Sequence, residues 1–188
     1  MIEPAQKPFR VVVADPPWQF SDRLPGGGRG AAKHYRCLSA RDIMRFPLPP
    51  IAADALLFLW RVGSMQDEAL DVMRVWGFDQ KSEIVWVKTR EKDGVVHGFD
   101  ATGVGLAVGM GRYVRGSHEA CLIGRRGKAK VRDRSVRSVF FAPRGRHSEK
   151  PELFFELVEQ LSGGPYLELF SRRQRRGWTC LGSEAGGA

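Results

Sequence analysis

The run Arg10-Val-Val-Val-Ala-Asp-Pro-Pro-Trp18 constrains this chain more than any other. Three valines and an alanine read as a buried strand, because β-branched side chains fit a covered pleated surface. The strand ends on one acid, two prolines and an indole. Asp15 is thereby placed at the carboxyl end of a strand, where open α/β sheets hold their ligands. Pro16 and Pro17 lack a backbone N–H, so the segment is stiff and its carbonyls are expected to stay free as acceptors. Trp18 adds a flat face on which a base can stack. Asp15, Pro16, Pro17 and Trp18 are therefore candidate catalytic residues, suited to an amino group on a planar heterocycle. The same residues also suit a strand that simply ends in a Pro-Pro turn, and the rest of the chain has to decide.

Strands and helices alternate after this point. Ser39 and Asp42 form a capping-box pattern for a short helix through Arg45. Leu56–Trp60 reads as a second buried strand. Ser64 and Asp67 repeat the capping signal for a helix carrying Met65, Ala69, Val72, Met73 and Trp76, which Gly77 ends. Glu83–Thr89, Glu119–Gly124, Val139–Ala142, Tyr166–Phe170 and Trp178–Leu181 read as further strands. Pro151 opens a helix with Leu153, Phe154, Leu157, Val158 and Leu161 on one face. About seven strands and three or more helices predict an α/β sheet covered on both faces. Residues 1–188 read as a single domain, with mobile segments at 24–34 and 183–188. The long irregular stretch 90–116 is the candidate for target choice. Its glycines, from Gly103 to Gly111, lack the spacing and context of a dinucleotide loop.

Charge narrows the partner class. Thirty Lys and Arg against 21 Asp and Glu give +9, which favours a polyanion, most simply nucleic acid. Much of the excess lies in Arg125–Arg134. Cys37, Cys121 and Cys180 are far apart and make no metal-ligand pattern, so no metal and a reducing compartment are expected. With no signal-peptide pattern and no long apolar run, the expected location is cytoplasmic, with no membrane partner.

Two later clusters carry further chemistry. Arg146-His-Ser-Glu-Lys-Pro151 precedes a helix, so His147, Ser148 and Lys150 stand near an N-terminus that favours an anionic group. Glu168-Leu-Phe-Ser-Arg172 ends a strand, where an acid can accept hydrogen bonds from a ribose diol. Taken alone, each also suits a helix cap or a strand with an exposed end.

The order of the three clusters, with Tyr35, Phe58-Leu-Trp60, Trp76-Gly-Phe78, Ile84–Lys88, Glu119-x-Cys-Leu-x-Gly124 and Gly177-Trp178, resembles the MT-A70 family of adenine methyltransferases from about Val11 to Glu184. The resemblance implies a Rossmann-like methyltransferase sheet, mixed but mostly parallel, with the catalytic segment preceding the cofactor strand. It implies S-adenosylmethionine as cofactor. It implies that Asp15 and the Pro16 carbonyl accept hydrogen bonds from the target amino group, with Trp18 and Tyr35 flanking the base and Trp60 on the substrate side. Cofactor positions carried over are Asp15, His118, His147, Ser148, Lys150, Glu168, Phe170, Arg172, Gln174, Ser183 and Glu184. His118 stands where some members have a lysine, and little chain precedes the first strand.

The expected reaction is methyl transfer to the exocyclic amino group of adenine in DNA. RNA is the alternative substrate, and a non-catalytic nucleic-acid-binding subunit is a third reading, disfavoured by the intact Asp15–Trp18 segment. Arg125, Arg126, Lys128 and Lys130 are the expected phosphate contacts, with Arg172, Arg173, Arg175 and Arg176 as further candidates. A monomer or homodimer is expected.

Overall fold

The computed structural model describes residues 7–19, 37–92, 95–96, 98–109, 111, 113–145 and 149–182. In chain order the elements are β1 (Phe9–Ala14), α1 (Ala40–Met44), β2 (Ile51–Arg61), α2 (Gln66–Val75), β3 (Asp79–Thr89), β4 (Glu91–Lys92), β5 (Val95–Val96), β6 (His118–Arg126), β7 (Val139–Pro143), α3 (Glu152–Leu161), β8 (Tyr166–Leu169) and β9 (Trp178–Leu181). Seven strands form one sheet in the order β7-β3-β6-β2-β1-β8-β9, and β4 and β5 pair separately. In the large sheet only β6 runs against its neighbours, between β2 and β3. This is the mixed, mostly parallel sheet expected of a Rossmann-like methyltransferase, with the first strand near its middle.

Alternation along the strands builds two cores. Val12 and Ala14 of β1 join Leu57, Leu59, Leu122, Leu167 and Leu169 beneath α1 and α2. Val11 and Val13 face the other way, with Phe58, Trp60, Ile84, Trp86 and Cys121 beneath α3. Phe154 of α3 is the hub of that second core, packing on Phe58, Trp60, Phe140 and Phe155. Burying strands on both faces explains why β1 and the middle of β2 read as continuous apolar runs.

Local signals fared unevenly. The Ser39 Oγ accepts from the Asp42 N–H at 3.2 Å, as the capping box requires. Ser64 makes no such cap. It lies in a 3₁₀ turn, Gly63–Met65, that leads directly into α2. Pro151 stands one position before the first helical residue. Gly77 takes φ +80, the left-handed conformation that ends α2. Strands β2, β3 and β6 are longer than their apolar runs. The added residues of β3, starting at Asp79, pair with the far end of β6 through backbone bonds and carry polar side chains outward. No described helix is long and apolar enough to cross a membrane.

Candidate active site

Parallel pairing sets the site. Val13 lies opposite Glu168 and Ala14 opposite Leu169, so β1 and β8 end side by side. Asp15 follows directly, on the α3 side of the sheet. Its Oδ2 accepts from Lys150 Nζ at 2.7 Å. Lys150 arrives from the loop between β7 and α3, and its side chain is only 9% exposed. Its ammonium also lies 3.2 Å from Glu119 Oε2 and 5.0 Å above the Trp60 ring. Glu119 Oε1 in turn meets Lys88 Nζ at 2.7 Å. Two carboxylates and two ammonium groups therefore alternate in one row, Asp15–Lys150–Glu119–Lys88.

Electrostatics follow from that row. Burial opposes charge on Lys150, but Asp15 and Glu119 outweigh it and raise its pKa above the ordinary 10.5. Burial likewise opposes charge on Glu119, yet Lys150 and Lys88 hold its pKa below the ordinary 4.5. Glu168 differs: burial pushes its pKa up, against weaker help from Ser171 and Cys180. The Cys180 thiol donates to Glu168 Oε2 at 3.7 Å. A partly buried carboxylate with so little compensation is a strong acceptor for a neutral donor such as a hydroxyl.

The structure corrects several expectations about the first strand's end. The Pro16 and Pro17 carbonyls are not free. Pro16 accepts from the Trp18 N–H and Pro17 from the Leu38 N–H, both at 2.8 Å. Each keeps one lone pair for a second donor. Trp18 is 4% exposed and packs into the α1/α2 core, its indole N–H donating to the Trp60 carbonyl at 2.9 Å. Its face is therefore covered, which follows from its position on the apolar side of the turn.

Other expected positions divide. Phe170 ends β8 with φ +60, rare for a residue with a side chain, and its ring lies 4.7 Å from Phe46. Arg172 and the exposed Gln174 lie in the turn between β8 and β9, beside the site. Alternation along β6 turns His118 to the sheet face opposite Glu119. Arg173 and Arg175 pair with Glu149 and Glu152 at the start of α3, so both are engaged within the fold. Tyr35, His147, Ser148, Ser183 and Glu184, with 24–34 and 183–188, lie outside the described residues.

The basic run is farthest from expectation. Because β6 is antiparallel, Glu119 and Arg125 sit at opposite ends of the sheet, roughly 20 Å apart at the usual strand rise. Arg126 is a helix-capping residue: its guanidinium donates to the Trp76 and Gly77 carbonyls and lies 4.8 Å from the Phe78 ring. The Lys128 N–H is bound by Asp54 Oδ1 at 2.6 Å. Arg125 and Lys130 line a separate cavity at that far end.

Sequence reading missed Glu119 and Lys88 as site residues. Each is a charged residue at the end of an apolar strand, which is a usable signal. Their meeting, however, depends on the direction of β6, which the sequence does not encode locally. The 90–116 stretch is also less loose than its composition suggests. The Ala107 N–H donates to the Lys88 carbonyl at 2.9 Å, and Phe99 stacks on Phe141 at 5.4 Å. Among the described residues no group of His, Cys, Asp and Glu could hold a metal ion.

Comparison with known proteins bears on this arrangement. An N(6)-adenosine-methyltransferase MT-A70-like protein of Drosophila melanogaster is 29% identical over 183 residues, covering 95% of this chain and 27% of its own length. The N(6)-adenosine-methyltransferase subunit METTL3 of Danio rerio is 30% identical over 183 residues, 95% of this chain and 28% of that protein. The Type II methyltransferase M.MunI of Mycoplasma sp is 27% identical over 200 residues, 95% of this chain and 78% of that protein. The chain thus spans about a quarter of the length of the first two. The MT-A70 family profile matches residues 9–184, from the first residue of β1 to just beyond β9, and the chain belongs to that family.

Proposed function

We propose that this chain transfers a methyl group from S-adenosylmethionine to the exocyclic amino group of adenine in DNA. The observation that carries the reading is the convergence of Asp15, Lys150, Glu119 and Glu168 on one face of the sheet, at the carboxyl end of β1. Family membership supports the chemistry. The +9 charge supports a nucleic-acid substrate, and the match to most of the length of M.MunI favours DNA. The names of the longer relatives, which specify adenosine, favour RNA as the second reading.

The donor set fits the cofactor. Glu168, buried and poorly compensated, suits a ribose diol. Asp15 and Glu119 suit an ammonium, and Lys150 suits a carboxylate. The Trp60 ring forms the floor beneath Lys150, and its buried indole N–H has no partner among the described residues. Phe170, Arg172 and Gln174, which follow β8 directly, and His147, Ser148, Ser183 and Glu184 are carried as further contacts. Bound there, S-adenosylmethionine supplies a methyl group on a sulfonium, open to in-line displacement by the adenine nitrogen.

The chain's own residues have three tasks. Asp15 accepts one N–H of the adenine amino group, and the remaining lone pair of the Pro16 carbonyl accepts the other. Held between two acceptors, the nitrogen keeps its lone pair out of the ring and faces the methyl group. The Asp15 charge stabilises the positive charge that develops on nitrogen and then receives its proton. Lys150 must release Asp15 for this to happen, and Glu119 at 3.2 Å retains it. A duplex has to present the base unstacked.

Purified protein incubated with tritiated cofactor and separate DNA and RNA pools tests the proposal. Label in DNA, absent with Asp15→Ala, supports it. Label in RNA alone transfers the reading to RNA. Binding without label in either pool leaves only the non-catalytic subunit.

A further inference from the structure

At the end of the sheet remote from Asp15, residues 127–138 roof a cavity of about 510 Å³. Leu56, Phe58, Ile84, Ile123 and Val136 give it an apolar floor and wall. The roof is built into the fold. Arg132 donates to the Ser162 carbonyl at 2.7 Å, and Asp133 accepts from Gln160 Nε2 at 2.6 Å. At its other end the Lys128 N–H is bound to Asp54.

The charges around the opening are unequally committed. Glu83 lies 3.7 Å from Arg61, and Asp133 is held by Ser135 and Gln160. Arg125, Lys130, Arg134 and Arg137 line the same cavity, are exposed, and make no ion pair among the described residues. A half-open cavity with an apolar floor and four cations without an ion pair suits a ligand with a flat apolar body and an attached anion. The volume lies within the range of small-ligand pockets. An acidic protein segment would use the cations but has nothing to fill the floor.

We propose that this cavity is a second nucleic-acid site, which takes one nucleotide of the bound strand, its base on the apolar floor and its phosphates against Arg125, Lys130, Arg134 and Arg137. The inference rests on the reading of the chain as a nucleic-acid methyltransferase and adds a footprint to it. Along β6, Glu119 beside Lys150 and Arg125 at the cavity are roughly 20 Å apart, about six steps of a stacked strand. A strand held at both ends of the sheet therefore has to extend about that far beyond the target base.

Fluorescence anisotropy of the full chain with fluorescein-labelled, mixed-sequence 6-mer and 18-mer DNA, over a salt series, tests it. The 18-mer is expected to bind at least about tenfold tighter than the 6-mer, because it alone reaches both ends. Arg134→Glu with Arg137→Glu should remove that advantage and lower the salt slope by about 1.5 to 2. Ala129→Phe, which fills the cavity and keeps every cation, should weaken 18-mer binding by about tenfold at unchanged slope. Arg74→Glu, on α2, is a charge-reversal control away from the cavity and should preserve the length advantage. An 18-mer advantage that survives the double substitution, or falls equally with Arg74→Glu, overturns the site. So does wild-type-like binding by Ala129→Phe. Displacement of the 18-mer by a glutamate-rich peptide as readily as by unlabelled DNA would reassign the cavity to an acidic partner. Absence of the length effect in the unsubstituted chain, with methyl transfer intact, sinks this inference alone. Binding as expected with no transfer to DNA or RNA sinks the enzymatic reading alone.

Discussion

The two ends of the sheet handle charge in opposite ways. At the carboxyl end of β1, acids and lysines alternate, and each charge has a partner within about 3 Å. At the other end, five cations line a cavity, and four of them, Arg125, Lys130, Arg134 and Arg137, make no ion pair among the described residues, while Lys81 pairs with Asp79. A paired, half-buried row is ordered in advance and suits a small ligand that exchanges one partner for another. Unpaired surface cations suit a polyanion, whose binding salt will weaken. The difference also teaches caution about net charge. Of the basic residues in the run from Arg125, Arg126 is engaged in closing a helix, while Arg173 and Arg175 are tied to α3. Position in the sheet, rather than density along the chain, decides which cations face a partner.

The largest effect should come from breaking the paired end. Asp15→Asn is expected to lower kcat for methyl transfer by about 10³-fold or more, while nucleic-acid affinity stays within a few-fold. Loss of affinity instead would move Asp15 from chemistry to binding.

Next comes pH. The lowered pKa of Glu119 means its contribution to stability is complete above 4.5 and is lost as pH falls through its folded value. The raised pKa of Lys150 means its contribution is complete below 10.5 and is lost as pH rises through its folded value. Neither of these two contributions changes between those limits, so each is read on its own limb of the denaturant-midpoint profile. Glu119→Gln should soften the acid limb and Lys150→Met the alkaline one. An unchanged pair of limbs would dissolve the contrast between the two ends.

Glu168→Gln sharpens it from within the paired end. Its pKa is raised, so ionised Glu168 opposes folding at neutral pH, and the substitution should leave the melting temperature unchanged or higher. Cofactor affinity, read by calorimetry, should fall by about tenfold. A lower melting temperature would show that the carboxylate is structural.

The smallest effect belongs to the far end. Arg126→Ala should cost about 1 kcal/mol of stability through the lost helix cap, without altering the salt dependence of DNA binding. A changed salt slope would return Arg126 to the interface.

How much of this was legible follows from how local each cause is. Val11–Ala14, Leu56–Trp60 and the amphipathic face of α3 announced themselves, because burial on both faces or one face leaves a periodic trace. The meeting of Asp15, Lys150 and Glu168 came from the order of short motifs. What was hidden depended on long-range geometry. No local pattern states that β6 runs backwards, so Glu119 was passed over and Arg126, which closes α2, was placed with the substrate. Pro16, Pro17 and Trp18 were misjudged for a related reason. Their hydrogen-bond partners lie in the turn itself, at Leu38 and at Trp60, which only the folded chain brings together.

The position of β1 has a consequence for how the protein comes into being. Its partner β8 lies about 155 residues later, Val11 opposite Tyr166. At ordinary ribosomal speed, some eight seconds or more separate their synthesis. Through that interval one edge of an apolar strand stays uncovered, inviting aggregation or a chaperone. Asp15, the proposed catalytic residue, is made early, but the strand beside it gains β8 among the last strands to emerge, so truncated products carry the motif without the assembled site.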